Sequence, residues 1–270
     1  MYSKSRVSGF SNLSTLLQGR LSQHHLLQIH AQIICHGAHQ NDLIATRLIG
    51  HYPLPIALRV FDQLQTPNIF PFNAIIRISS DGKDKSSLAI SFFKRLKQQS
   101  LLPNDFTFSF LLKACLNCGI PLYVKQVHTQ ITKSGFLTDS AVCNGLLVSY
   151  AKGVKDLVLA LKVFDEMPEK SSVYSWTCLI DGYAKSGLSE KALRLFLQMV
   201  QRNVIPDNAT MVSVLSACAK LDVVVRKHGL SDTSTELYRA CSFHLIFAYL
   251  IKHFRKNKQT SENFRKNKKT

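Results

Sequence analysis

The sequence predicts an all-α fold, a right-handed superhelical solenoid of stacked antiparallel helix pairs, and three observations lead there. Apolar or near-apolar residues recur at i, i+3, i+4 and i+7, the spacing of one helix face, with a nearly fixed long period. Residues that tolerate a left-handed backbone fall between these stripes. Nothing along the chain alternates with the period of a strand.

Each element can be read from its stripe. One series runs Ala45, Leu48, Ile49, Tyr52; Phe72, Ile75, Ile76, Ser79; Phe108, Leu111, Leu112, Cys115; Cys143, Leu146, Leu147, Tyr150; Trp176, Leu179, Ile180, Tyr183; and Met211, Val214, Leu215, Cys218. Successive starts lie 27, 36, 35, 33 and 35 residues apart. A second series alternates with it, from Leu26, Ile29, His30, Ile33 to Ala192, Leu195, Phe196, Met199. Gly119, Gly153 and Gly187 should close the first helix of a pair, and Gly37, Gly135 and Asn203 the second. Pro103, Pro168 and Pro206 fall in the connections, where a missing N–H does little harm. A pair of about 35 residues cannot bury its own stripe, so neighbouring pairs must stack around one elongated core.

Composition bounds the function. The 270 residues carry 34 Lys and Arg against 17 Asp and Glu, a formal charge of +17, which suits a polyanionic partner. Segment 252–270 holds eight basic residues and one acid, and the rest of the chain is still about +10. Seven scattered cysteines do not make a secreted disulfide framework, and the Cys115-x-x-Cys118 pair has no second pair to complete a zinc site. No apolar run is long enough to span a membrane. Before Asp42 there is no acid, while serines accompany Lys4, Arg6 and Arg20, a composition suited to an organellar transit segment over 1–20, with the mitochondrion favoured over the chloroplast.

The unit 173–207, VYSWTCLIDGYAKSGLSEKALRLFLQMVQRNVIPD, resembles the standard pentatricopeptide repeat almost throughout. Segment 105–139 is similar to the long variant of that repeat and 140–172 to the short one; 69–104 is a standard unit with one insertion, and 42–68 a short unit missing about four residues. QIHAQIICHG at 28–37 echoes QVHTQITKSG at 126–135, so a partial long repeat over 21–41 precedes them. A partial repeat over 208–228 and a divergent basic tail over 229–270 follow. The standard, long, short order resembles the plant PLS subclass, truncated before any C-terminal editing domain. Tetratricopeptide repeats share part of the pattern, and a protein-interaction solenoid of that type is the competing description.

The resemblance implies sequence-specific binding of single-stranded RNA in an organelle, in support of C-to-U editing, processing or stabilisation, with editing or processing proteins as partners. It implies no catalytic residues, metal or cofactor; His-x-Glu and Pro-Cys-x-x-Cys, the zinc deaminase motifs, do not occur. Base choice in the family is attributed to the fifth and last residues of each unit. Those are Thr46 with Asn68, Asn73 with Asn104, Ser109 with Asp139, Asn144 with Ser172, and Thr177 with Asp207. The family code implies adenine, a pyrimidine, an unread base, cytosine and guanine, in 5′ to 3′ order. The fifth residue follows the apolar anchor and should lie at the edge of the buried stripe. His30 and His128, at matching places inside stripes, should be packed rather than catalytic.

Overall fold

The computed structural model describes residues 13–168, 170 and 172–228, with side chains up to 221. Most of the expected transit segment and the whole basic tail lie outside the described residues. The described residues are helical and contain no strand. They fall into two compact units that divide after Lys170.

In the first unit α1 (Gln23–Cys35) precedes four helix pairs. These are α2 (Asp42–His51) with α3 (Leu54–Asp62), α4 (Ile69–Ser79) with α5 (Ser86–Gln98), α6 (Asp105–Cys118) with α7 (Pro121–Lys133), and α8 (Ser140–Val148) with α9 (Leu157–Glu166). First helices pack on first helices, α2 on α4, α4 on α6 and α6 on α8, while each second helix leans on its own partner. The second unit contains α10 (Val173–Lys185), α11 (Ser189–Gln201) and α12 (Asn208–His228), each packed against the other two.

The stripes become the core. Phe72, Ile75, Phe108, Leu111, Leu146, Leu147, Leu179 and Ile180 are fully enclosed, and Trp176, Tyr183, Ala192, Phe196 and Met199 are buried together in the second unit. Burying side chains of this size contributes roughly 1.5–3 kcal/mol each. Aromatic edges tie neighbouring helices: Phe61 meets Phe72 and Phe92 at centroid separations of 4.9 and 5.0 Å, and Phe108 meets Phe136 at 5.2 Å. His30 and His128 are packed as expected, each with Nδ1 bonded to a tyrosine hydroxyl, Tyr52 at 2.9 Å and Tyr150 at 3.0 Å.

Two expectations need correction. Gly153 does not close its helix in the left-handed region. The chain continues from α8 through a π-helical turn, Ser149–Val154, and the positive φ falls on Lys155 at 62°. Gly153 is needed for close approach instead, since a Cβ there would stand 3.2 Å from the Leu116 Cα. Leu215, fourth from the stripe start Met211, is 47% exposed, whereas Ile180 at the matching place in α10 is 0%. α12 runs unbroken to His228, with no break where the other units turn into their second helix. Near the start of the described residues Leu13 and Leu17 are buried, and Arg47 and His51 of α2 donate to the carbonyls of Ser14 and Leu17.

Candidate nucleic-acid interface

Every first helix needs a partner for its leading N–H groups, and the last residue of each preceding unit occupies that cap position. Asn68 Oδ1 accepts from the Phe70 N–H at 2.9 Å, Asn104 Oδ1 from Thr107 at 3.0 Å, Asp139 Oδ1 from Val142 at 2.8 Å, and Asp207 Oδ1 from Thr210 at 2.7 Å. Ser172 caps α10 with its backbone but without a side-chain bond. Capping uses one atom of each side chain, so the cap role and a base-facing role are compatible.

The structure joins two of the five predicted pairs directly or through one bridging side chain. Asn73 Nδ2 donates to Asn104 Oδ1 at 3.0 Å, and the Thr107 hydroxyl lies 2.7 Å from Asn73 Oδ1 and 2.9 Å from Asn104 Oδ1. Its oxygen also accepts the Asn104 N–H at 3.1 Å. In the second unit the Thr177 and Thr210 hydroxyls are 2.6 Å apart, and Thr210 Oγ1 donates to Asp207 Oδ1 at 2.7 Å. Thr46 bonds its own helix at the Asp42 carbonyl, while the Asn68 N–H donates to the Asp42 carboxylate at 3.3 Å. Ser109 and Asp139 share no hydrogen bond among the described residues. Asn144 belongs to the first unit and Ser172 to the second.

Burial departs from expectation at one position. Asn73 is 8% exposed, inside the stripe rather than at its edge, and it is tolerated because Asn104 and Thr107 satisfy its amide. The other nine residues are half-buried or exposed. At Asp207 partial burial raises the carboxyl pKa, but hydrogen bonds from the Thr210 N–H and hydroxyl, and from the Ala209 and Asp207 N–H groups, outweigh it and hold the group below its ordinary value. Asp207 is therefore a carboxylate at neutral pH.

The two bridged pairs differ in hydrogen-bonding sense. In the amide pair both Oδ1 atoms are engaged, leaving Asn104 Nδ2 and one Asn73 Nδ2 hydrogen as donors. In the Thr177–Asp207 pair the hydroxyls can relay toward the carboxylate, which presents only acceptors.

A set of residues escaped the sequence reading. Leu43, Phe70, Phe106 and Tyr174, each the second residue of a first helix, are 53%, 59%, 60% and 55% exposed. Each stands three residues before the fifth residue of its unit, hence beside it on the helix surface. The signal was available as a bulky apolar residue out of phase with the buried stripe, repeated at one place in four units.

Cys115 is a core thiol, its pKa pushed up to about 12 by burial and by neighbouring Cys118. Among the described residues no three His, Cys, Asp or Glu side chains gather to hold a metal, and no helix is long and apolar enough to cross a membrane.

These features define a chain of helical-pair repeats with a polar pair between successive first helices. Residues 171–220 match the PPR repeat family and residues 57–117 match the pentatricopeptide repeat domain, so the chain carries pentatricopeptide repeats. It is 34% identical over 222 residues to the Arabidopsis thaliana pentatricopeptide repeat-containing protein At3g12770, covering 80% of this chain and 32% of that protein. It is 44% identical over 167 residues to the Arabidopsis thaliana protein At1g59720, chloroplastic/mitochondrial, covering 61% of this chain and 26% of the relative. The chain thus spans about a third or less of the length of these two relatives. Among solved structures it is similar to the pentatricopeptide repeat protein PPR10 in complex with an 18-nt psaJ RNA element, at 17% identity and a TM-score of 0.34, covering 86% of this chain and 47% of that one.

Proposed function

We propose that the chain binds single-stranded RNA, one base per repeat, through the polar pairs Thr46–Asn68, Asn73–Asn104, Ser109–Asp139, Asn144–Ser172 and Thr177–Asp207. One observation carries this reading. A hydrogen-bonding pair with unused donor or acceptor atoms recurs beside an exposed bulky apolar side chain, the combination that holds an unstacked base by its face and its edge. The +17 charge supplies phosphate attraction without sequence choice.

The chemistry of each bridged pair suits the base that the resemblance implies. Both pyrimidines offer two acceptors on the Watson–Crick edge, matching the donors left by Asn73 and Asn104. Guanine offers N1–H and N2–H donors there, matching the Asp207 carboxylate. In the chain's organelle, bound RNA would be edited, processed or stabilised with partner proteins supplying any chemistry. The organelle assignment draws on the composition of 1–41 and on relatives named as mitochondrial or as chloroplastic/mitochondrial. The mitochondrial preference rests on composition alone.

Thr177→Asn combined with Asp207→Ser tests the reading. Serine preserves helix capping, and the preferred base at one RNA position should move from guanine to cytosine. A lost base contact costs about 1–3 kcal/mol, so discrimination should change by roughly tenfold or more in competition binding with matched RNAs. Equal affinity for guanine and cytosine in both proteins would contradict it.

A further inference from the structure

We propose that the hydroxyl three residues after the cap, on Thr107 in the first unit and Thr210 in the second, is a specificity-determining positioning group, an inference that rests on the base-reading pairs proposed above. The same arrangement occurs in both units, although they share no side chain: cap oxygen to Thr N–H, cap N–H to Thr oxygen, and Thr hydroxyl to the polar pair. At the corresponding place α2, α4 and α8 have Ile44, Pro71 and Val142, which carry no hydroxyl, and α10, whose cap Ser172 makes no side-chain bond, has Ser175.

Counting protons gives the consequence. The Thr107 N–H can only donate, so it selects the oxygen of the Asn104 amide, and that oxygen in turn selects the nitrogen of Asn73. Asn73 Oδ1 is then buried, and the Thr107 hydroxyl is what satisfies it. With that hydroxyl present the pair shows donors only. Without it, a buried amide oxygen has lost its partner, and Asn73 rotates to find another, so the pair no longer offers one sense to a base. In the second unit the Thr210 hydroxyl ties Thr177 to Asp207 and helps keep the carboxylate ionised.

Thr107→Val keeps the shape and removes the hydroxyl, and Thr107→Ser restores it. In the full chain, competition binding is measured with RNAs varied separately at the base facing Asn73–Asn104 and at the base facing Thr177–Asp207. Thr107→Val should lose roughly tenfold of its pyrimidine-over-purine preference at the first base and keep its preference at the second, and Thr107→Ser should regain the first. A purely structural role would weaken both positions together. If Thr107→Val does not fold by circular dichroism, Thr210→Val is read in the same way at the guanine position. Unchanged discrimination in the valine variant of a protein whose wild type discriminates overturns the positioning role while leaving the base-reading pairs intact. No discrimination in the wild type would instead defeat the pairs themselves.

Discussion

Thr107 and Val142 stand at the same place in successive first helices, both fully buried, and differ by a hydroxyl in place of a methyl group. Each helix begins with a side-chain cap, Asn104 at 3.0 Å or Asp139 at 2.8 Å from the third helical N–H. At Val142 the cap is a local device that ends with its own helix. At Thr107 the added hydroxyl carries the cap's bonds across to Asn73 on the preceding first helix, and a local device becomes a link between units. Capping and recognition use the same side chain, and its third-residue neighbour decides whether the neighbouring polar residue is held.

Removing the cap from each side sharpens this comparison. Asn104→Ala should destabilise the fold by about 1–3 kcal/mol, because it removes a cap and also strips the Asn73 amide of a partner. Asp139→Ala should cost only about 1 kcal/mol, the usual value of a cap. Denaturant unfolding of both variants checks the order, and equal losses would mean that the link to Asn73 contributes nothing.

A smaller effect separates capping from the histidine–tyrosine contacts. Burial lowers the pKa of His30; at His128 burial again lowers it most, Glu166 opposes and Lys162 adds to the lowering. The folded chain thus binds fewer protons than the unfolded one, so this contribution is complete above the ordinary histidine pKa and is lost as pH falls below it. Stability should decline modestly as pH falls below about 6.5, and His128→Gln should flatten part of that decline in unfolding curves. An unchanged slope would show that folding does not lower the His128 pKa.

Much of the fold was legible because a buried helix face repeats its own spacing. Phe108, Leu111, Leu112 and Cys115 were read as one stripe and are one. Gly119, Gly135, Gly187, Gly37 and Asn203 were read as left-handed positions and have positive φ. Gly153 was misread because a glycine required for close backbone approach looks the same in sequence as a glycine that ends a helix. Leu215 fits the spacing yet stays exposed, since a stripe is buried only where another element covers it. Asn73 was misplaced because an amide enters a core when two partners satisfy it, and those partners lie 31 and 34 residues away. The spacing Asn104-x-x-Thr107 and Asp207-x-x-Thr210 was present as a cap signature; that its hydroxyl reaches another helix is visible only once the first helices are stacked.

The central claim is that this helical array reads single-stranded RNA. Selection from a random single-stranded RNA pool tests it most directly, with double-stranded RNA, DNA and acidic peptides as competitors. The account predicts salt-sensitive enrichment of a short ordered motif, with a pyrimidine two positions before a cytosine–guanine step and adenine preceding it. A pool that stays unenriched, or that acidic peptides displace as readily as RNA does, would contradict it.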